Sequence, residues 1–170
     1  MPKVLTFSRT FPAYHPKAGQ PTNFVEKITK NLHHLGTPPW DIPDEIFTTE
    51  IYYIVDSKRH TIRSGNRWKV GDKFSPRVWS GKPYQSKQII IAPDIEVKKV
   101  WPVEIEFFGG SFYVQLPVKK NHWTLLSAGD VAKNDGLEVH DFIDWFKVHP
   151  KSKAFNFKGQ VICWDESVIY

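Results

Sequence analysis

The chain has 170 residues, of which 41% are hydrophobic and 24% are charged; these proportions exclude a disordered chain, and the length predicts one domain. The single cysteine, Cys163, excludes an intramolecular disulfide and indicates a reducing compartment. The first residues contain no apolar run of signal-peptide length, and the apolar runs elsewhere are too short to cross a bilayer. We therefore expect a soluble, cytoplasmic protein that does not associate with membranes.

The net charge of +5 is distributed unevenly along the chain. Residues 57–88 contain nine Lys and Arg but only one acidic residue, Asp72, so this segment carries +8. The segment also contains Trp68, Trp79 and Tyr84. Guanidinium groups bind phosphates and aromatic rings stack on unpaired bases, so this mixture is typical of nucleic-acid binding. A solvated basic hairpin is the alternative, and composition alone favours it.

In chain order, the first predicted element is a strand at residues 3–7, which is followed by a proline-rich loop. A helix comes next: Asn23 caps it, Glu26 completes a capping box, and Gly36 ends it. The apolar residues between these limits recur at helical spacing. Residues 37–45 contain three prolines and are predicted to form an irregular surface insertion.

Further strands are predicted from runs of β-branched and aromatic residues. They cover residues 51–55, 73–79, 85–92, 95–107, 111–118 and 160–164. Between the last two strands, residues 127–134 and 137–148 are predicted to be helices. Many short strands with helices at their connections predict an α+β arrangement around a small, partly closed β-barrel.

Residues 58–63 (KRHTIR) and 67–72 (RWKVGD) contain the motif that narrows this interpretation. They resemble the ASCH domain family, a branch of the PUA-like β-barrel superfamily. That family carries a Gly-x-Lys-x-x-Glu/Thr-x-Arg signature followed by a Gly-Asp turn. Lys58, Thr61 and Arg63 match the signature, and residues 71–72 match the turn. Residues 132–137 (AKNDGL) are similar to the family's helical segment.

The resemblance implies that residues 1–170 form a single ASCH/PUA-like domain, with a small mixed β-barrel and helices at the strand connections. Compared with the family, residues 8–21 and 37–54 are insertions. Asp56 stands where the family usually has Gly, so the backbone before the signature is expected to differ.

The nearest characterised branch is the bacterial N4-acetylcytidine amidohydrolases, whose catalytic set is a lysine, a threonine and a glutamate. The resemblance places these roles on Lys58, Thr61 and Asp135. A lysine acts as a base only if its pKa is lowered, and the neighbouring Arg59 and Arg63 would lower it. Positions three apart on a strand face opposite ways, so Lys58 must lie on a loop, whereas Thr61 and Arg63 can share a face.

Each of these residues also has a plausible structural role. Asp135 can cap the following helix, with Glu138 closing a capping box, and the sequence by itself favours that role. Thr61 can be a β-former only, and Lys58 a solvated surface lysine. Arg63 can pair with a carboxylate or a main-chain carbonyl.

The function predicted first is binding of RNA or a modified nucleoside in a basic cleft. The side chains expected to contact that ligand are Arg59, Arg63, Arg67, Trp68 and Lys69. The alternative is a hydrolase of the same fold, either an amidohydrolase acting on a modified cytidine or a ribonuclease, that uses Lys58, Thr61 and Asp135. A third possibility is an interaction protein whose basic face docks on an acidic partner. The seven histidines and Cys163 show no ligand spacing, so we predict no metal and no cofactor.

Overall fold

The structure is a computed structural model that describes residues 1–148 and 154–170. In these ranges the helices are α1 (Phe24–His34), α2 (Thr49–Ile54), α3 (Ala128–Asn134) and α4 (Val139–Phe146). The strands are β1 (Lys3–Thr6), β2 (His60–Ser64), β3 (Lys73–Trp79), β4 (Gln88–Ile90), β5 (Ile95–Glu96), β6 (Lys99–Phe108), β7 (Ser111–Lys119), β8 (His122–Leu126) and β9 (Ala154–Cys163). None of the described helices is long and apolar enough to cross a membrane.

The strands form two sheets, and neither of them closes into a barrel in the described part of the chain. In the first sheet β3 pairs with β1 in parallel and with β4 and β5 in antiparallel. The second sheet is antiparallel throughout, in the order β2-β9-β6-β7-β8. The predicted α+β class is therefore confirmed, whereas the small β-barrel predicted with it is not found in the described residues, which form two separate sheets.

One hydrophobic cluster joins buried side chains of both sheets to those of α1, α3 and α4. A bridge between Thr10 and Pro21 closes the loop at residues 8–21, and Tyr14 Oη attaches it to α4 by donating to the Trp145 carbonyl at 2.7 Å. The region at residues 37–54 is also attached, since the Trp40 indole N–H donates to a main-chain carbonyl just after β4 at 2.8 Å. Both segments predicted to be insertions therefore contact the body of the fold.

Residues 51–55 were predicted to be a strand because of their β-branched and aromatic side chains, and this prediction is wrong. They lie in and just after α2, where none of the side chains is buried. Contacts with α1 replace sheet pairing: Lys30 Nζ donates to the Val55 carbonyl at 2.6 Å, and Tyr52 Oη lies 3.1 Å from His33 Nδ1. Tertiary contacts thus override β propensity here.

The capping box predicted for α1 is also absent. Asn23 has a left-handed backbone with φ of 57° and makes no side-chain capping bond. Glu26 is buried, and its Oε1 accepts a hydrogen bond from the Thr48 N–H at 3.0 Å. Its carboxylate therefore faces the segment before α2 and not the start of its own helix.

Candidate functional site

Lys58, Thr61, Arg63 and Asp135 line one cavity of about 210 Å³. The structure thus brings together four residues whose convergence the sequence could only predict. The remaining walls are mainly aromatic and include Phe7, Phe24, Trp79, Tyr84, Trp145 and Phe146.

Lys58 lies on the loop before β2, as the spacing argument requires. Its N–H donates to the Lys27 carbonyl on α1 at 3.1 Å, and the next N–H donates to the Asn134 carbonyl at the end of α3 at 2.8 Å. Gly136 makes room for the side chain, because a Cβ at Gly136 would lie 3.0 Å from the Lys58 Cβ. The loop is therefore held between two helices, with the lysine directed inward.

The Lys58 ammonium and the Asp135 carboxylate form a buried ion pair. Lys58 Nζ donates to Asp135 Oδ1 at 2.8 Å and to the Asp135 carbonyl at 2.5 Å. It also lies 4.3 Å from the centre of the Phe24 ring. Burial lowers the pKa of Lys58 to about 8, because the opposing attraction of Asp135 does not fully compensate and Arg63 adds repulsion. Lys58 is therefore not the solvated surface lysine of the structural alternative.

Asp135 ends α3 and does not cap α4. Its N–H continues the helix by donating to the Val131 carbonyl at 2.9 Å. Glu138, the N-cap residue of α4, makes no side-chain capping bond, so the capping box proposed as the structural alternative is wrong. Burial would raise the pKa of Asp135, but the attraction of the Lys58 ammonium outweighs it and holds the pKa below its ordinary value.

Thr61 and Arg63 both face the cavity from β2. Arg63 Nη2 donates to the Thr6 carbonyl at 2.6 Å, so this side chain joins β2 to β1. Its Nε is buried and has no hydrogen-bond partner among the described residues. The buried Thr61 side chain has no hydrogen bond to the described part of the chain, which leaves its hydroxyl available to a ligand. Arg63 thus bonds to a main-chain carbonyl, as its structural alternative predicted, and also lines the cavity.

His60 lies behind Asp135, and the sequence interpretation missed it. The ring is fully buried, with Nδ1 3.5 Å from Asp135 Oδ1, which is long for a hydrogen bond. Nε2 lies 2.7 Å from Tyr170 Oη, which accepts a hydrogen bond from Asn134 Nδ2 at 2.9 Å. Burial lowers the pKa of His60, which favours the neutral ring. The sequence did contain a signal for this position. His60 precedes Thr61 in the strand, and consecutive side chains of a strand point to opposite faces, so His60 points away from the cavity and into the core.

Most of the predicted nucleic-acid contacts lie outside this cavity. Arg59 lines a different cavity, and its Nε is 3.6 Å from Asp165 Oδ2. Arg67 and Lys69 are exposed and do not line the Lys58 cavity. Of the five residues predicted to form a basic cleft, only Arg63 lines this cavity.

Trp68 was predicted to contact the ligand, and the structure contradicts this. Its side chain is only 2% exposed and packs edge-on against Phe74, with ring centroids 5.9 Å apart. Lys3 Nζ lies 4.9 Å from the centre of the ring. A base cannot stack on this indole unless the core opens, so Trp68 contributes to stability.

Cys163 and the histidines are the remaining side chains with reactive or metal-binding chemistry. Burial raises the pKa of Cys163 to about 11, so its thiol is a poor nucleophile near neutral pH. Within residues 1–148 and 154–170, no group of three or more His, Cys, Asp and Glu side chains could hold a metal ion. His149 lies outside the described residues.

Comparisons of this chain with protein-family models, with curated proteins and with solved structures find no match.

Proposed function

We propose that this chain is an ASCH-like amidohydrolase that takes a modified nucleoside into the Lys58 cavity and hydrolyses an amide on its base. The observation that carries the proposal is the buried Lys58–Asp135 pair, which opens onto a cavity also lined by Thr61, whose hydroxyl has no hydrogen bond to the described residues. A buried ion pair is poor evidence for stability, because desolvation offsets its attraction. An ionisable group with a strongly shifted pKa in a cleft is typical of a functional site.

The size and walls of the cavity support a planar ligand. A volume of about 210 Å³ is smaller than the pockets that hold drug-sized molecules, so it suits a single ring system better than an extended chain. Aromatic walls bind such rings by stacking, and Tyr84 at this site is 88% exposed. Arg63 adds donors that suit a base carbonyl.

In the proposed reaction, Lys58 is the base and Thr61 is the nucleophile. With a pKa of about 8, about a tenth of Lys58 is neutral at pH 7. Neutral Nζ accepts the Thr61 hydroxyl proton while Oγ1 forms a bond to the amide carbon. The carbon–nitrogen bond then breaks, and the departing exocyclic nitrogen takes the proton back from Lys58. Water hydrolyses the resulting threonine ester, so amide and water yield a carboxylic acid and an amine. Asp135 orients Nζ throughout.

The test is turnover of N4-acylated cytidines by the intact chain and by Thr61→Val. Valine keeps the β-branched shape but removes the hydroxyl, so we expect product formation to fall by a factor of about 10² or more while the melting transition changes little. Thr124→Val is the matched control, because Thr124 is an exposed strand residue on β8. Undiminished turnover by Thr61→Val would contradict the proposed nucleophile. Absence of turnover by the folded intact chain across the panel would contradict the amidohydrolase.

Binding of single-stranded RNA is the second candidate function. One observation favours it: a set of cations in the segment at residues 57–88 points into solvent. The exposed members are Arg67, Lys69, Lys73, Lys82 and Lys87. Such a set contacts a phosphate backbone without needing the Lys58 cavity, so this activity is separable from hydrolysis.

A further inference from the structure

A second cavity, of about 460 Å³, adjoins the Lys58 cavity. The two share a wall made by Phe7, Ser8, Phe24, Trp79 and Pro83. A ligand that reaches past this wall would occupy both cavities at once. The second cavity is called the Glu26 cavity below, after the carboxylate in its lining.

Glu26 is a buried carboxylate that forms no ion pair with any described residue. Its side chain is only 5% exposed, although it lines a cavity of this size. Oε1 accepts one hydrogen bond, from the Thr48 N–H, and no ion pair to Glu26 is found among the described residues. A carboxylate has about four acceptor sites, so most of its capacity is unused. Buried charges are normally paired, as Asp135 is with Lys58.

Arg9 forms no ion pair with Glu26 in the described part of the chain. Arg9 also lines the Glu26 cavity, but its Nη2 donates to the Glu45 carbonyl at 2.9 Å and its Nη1 to the Ser80 carbonyl at 3.3 Å. The buried Glu26 carboxylate in this lining attracts a positively charged guest and repels an anionic one.

The walls fit the same guest. Phe7, Phe24, Phe47 and Trp79 contribute aromatic surface, and ring faces attract ammonium groups. The Glu26 carboxylate in the lining would repel a phosphate.

We propose that the Glu26 cavity is a subsite for a primary ammonium group carried on a short alkyl arm. Together with the proposed hydrolysis, on which this part rests, it defines the substrate class: an N-acylated base whose acyl arm ends in an amine. The amide carbonyl lies at Lys58 and Thr61, and the ammonium group pairs with Glu26.

The experiment compares three cytidines whose N4-acyl arms contain the same number of carbons but differ in charge. They carry butanoyl, 4-aminobutanoyl and 3-carboxypropanoyl groups. We expect kcat/KM to be about tenfold or more higher for the amino arm than for butanoyl, and lowest for the carboxy arm, because a hydrogen bond to a charged group is worth at least that factor. Glu26→Gln keeps an acceptor for the Thr48 N–H, and should reduce the amino-to-butanoyl ratio towards one.

Glu50→Gln is the control, because Glu50 is an exposed glutamate on α2 outside the lining of this cavity. It should keep the ratio of the intact chain. Equal kcat/KM for the amino and butanoyl arms, or an unchanged ratio in Glu26→Gln, would overturn the subsite.

A binding measurement separates failure of the subsite from failure of the proposed hydrolysis. Butylammonium and butanol are titrated into the intact chain and into Glu26→Gln, and the backbone amide resonances of residues 26 and 48 are followed by NMR. Selective, Glu26-dependent binding of butylammonium without turnover of any cytidine retains the subsite and rejects the amidohydrolase. Turnover without that selectivity, or equal binding of the two probes, rejects the subsite.

Discussion

Lys58 has two roles that oppose each other, because an ammonium group pairs with Asp135 but only the neutral amine can accept a proton. Burial favours the neutral form and the carboxylate favours the charged form. A pKa of about 8 lies between the values that each influence would produce alone, so both forms are available near neutral pH.

This balance predicts the pH dependence of hydrolysis. If neutral Lys58 is the base, kcat/KM rises about tenfold per pH unit below pH 8 and levels off above it. Asp135 raises the pKa of Lys58, so Asp135→Asn should move the midpoint to lower pH. The measurement is kcat/KM for an N4-acylcytidine in both chains. A rate that falls above about pH 8 would instead indicate that the ammonium form is required.

Removing the Lys58 charge should destabilise the fold. Lys58→Met keeps the alkyl stem but leaves the Asp135 carboxylate buried and unpaired, so we expect a loss of about 3–5 kcal/mol in the free energy of unfolding. Lys69→Met, at an exposed position, should stay within about 0.5 kcal/mol. Denaturant unfolding measures both. Adding Asp135→Asn to Lys58→Met removes the unpaired carboxylate charge and should restore part of the lost free energy of unfolding. No recovery would mean that the unpaired carboxylate is not the cause of the destabilisation.

At the scale of elements, the site depends on how α3 ends. Gly136 has φ of 76°, a left-handed conformation that ends the helix and lets the chain turn towards Leu137. The same residue faces Lys58, so one glycine both terminates α3 and makes space for the lysine. Glycine is therefore required at position 136 both for its left-handed backbone and for the space that it leaves to Lys58.

Gly136→Ala is therefore expected to destabilise the protein by at least about 1–2 kcal/mol, the cost of a left-handed alanine, and to displace Lys58. Gly129→Ala is the matched control on the same helix, because a Cβ there would meet only the Ser127 hydroxyl oxygen at 3.6 Å. It should stabilise α3 by up to about 1 kcal/mol. Thermal melts of the two variants give the comparison, and similar melting temperatures would contradict it.

The elements also show what the sequence can predict. The bounds of β3 and the positions of α3 and α4 follow from local patterns, and the structure confirms them. β8 was missed, because its side chains are largely exposed and show no alternation of buried and exposed positions. Glu26 was assigned to a capping box, since nothing in the local sequence indicates that the segment before α2 folds back onto it.

In the candidate site, too, local sequence patterns predict some features and miss others. Lys58, Thr61 and Arg63 follow one another in a recognisable order, so the motif itself could be found. The contact between Lys58 and Asp135 joins residues 77 positions apart, which no local pattern specifies. Trp68 was misassigned because composition reports that an aromatic is present but not that it is buried.

At the scale of the whole molecule, the exposed cations of residues 57–88 lie outside the lining of the Lys58 cavity. If the exposed cations bind single-stranded RNA, log K should fall with log[salt] with a slope of about −0.7 per phosphate neutralised. Replacing Arg67 and Lys69 together by alanine should weaken binding and flatten that slope, whereas Thr61→Val should leave both unchanged. Filter retention at several salt concentrations measures this. No retention at low salt would reject RNA binding.

β8, one of the two outer strands of the five-stranded sheet, has a consequence for handling the protein. β8 pairs with β7 only, in the described residues, so its other side presents unpaired N–H and C=O groups next to Trp123 and Leu125, which are 47% and 65% exposed. Such an edge is a template on which a second chain can add a strand, and the irregular register between Pro117 and Lys119 opposes this only locally. Concentrated solutions of the protein are therefore expected to be prone to edge-to-edge aggregation along β8.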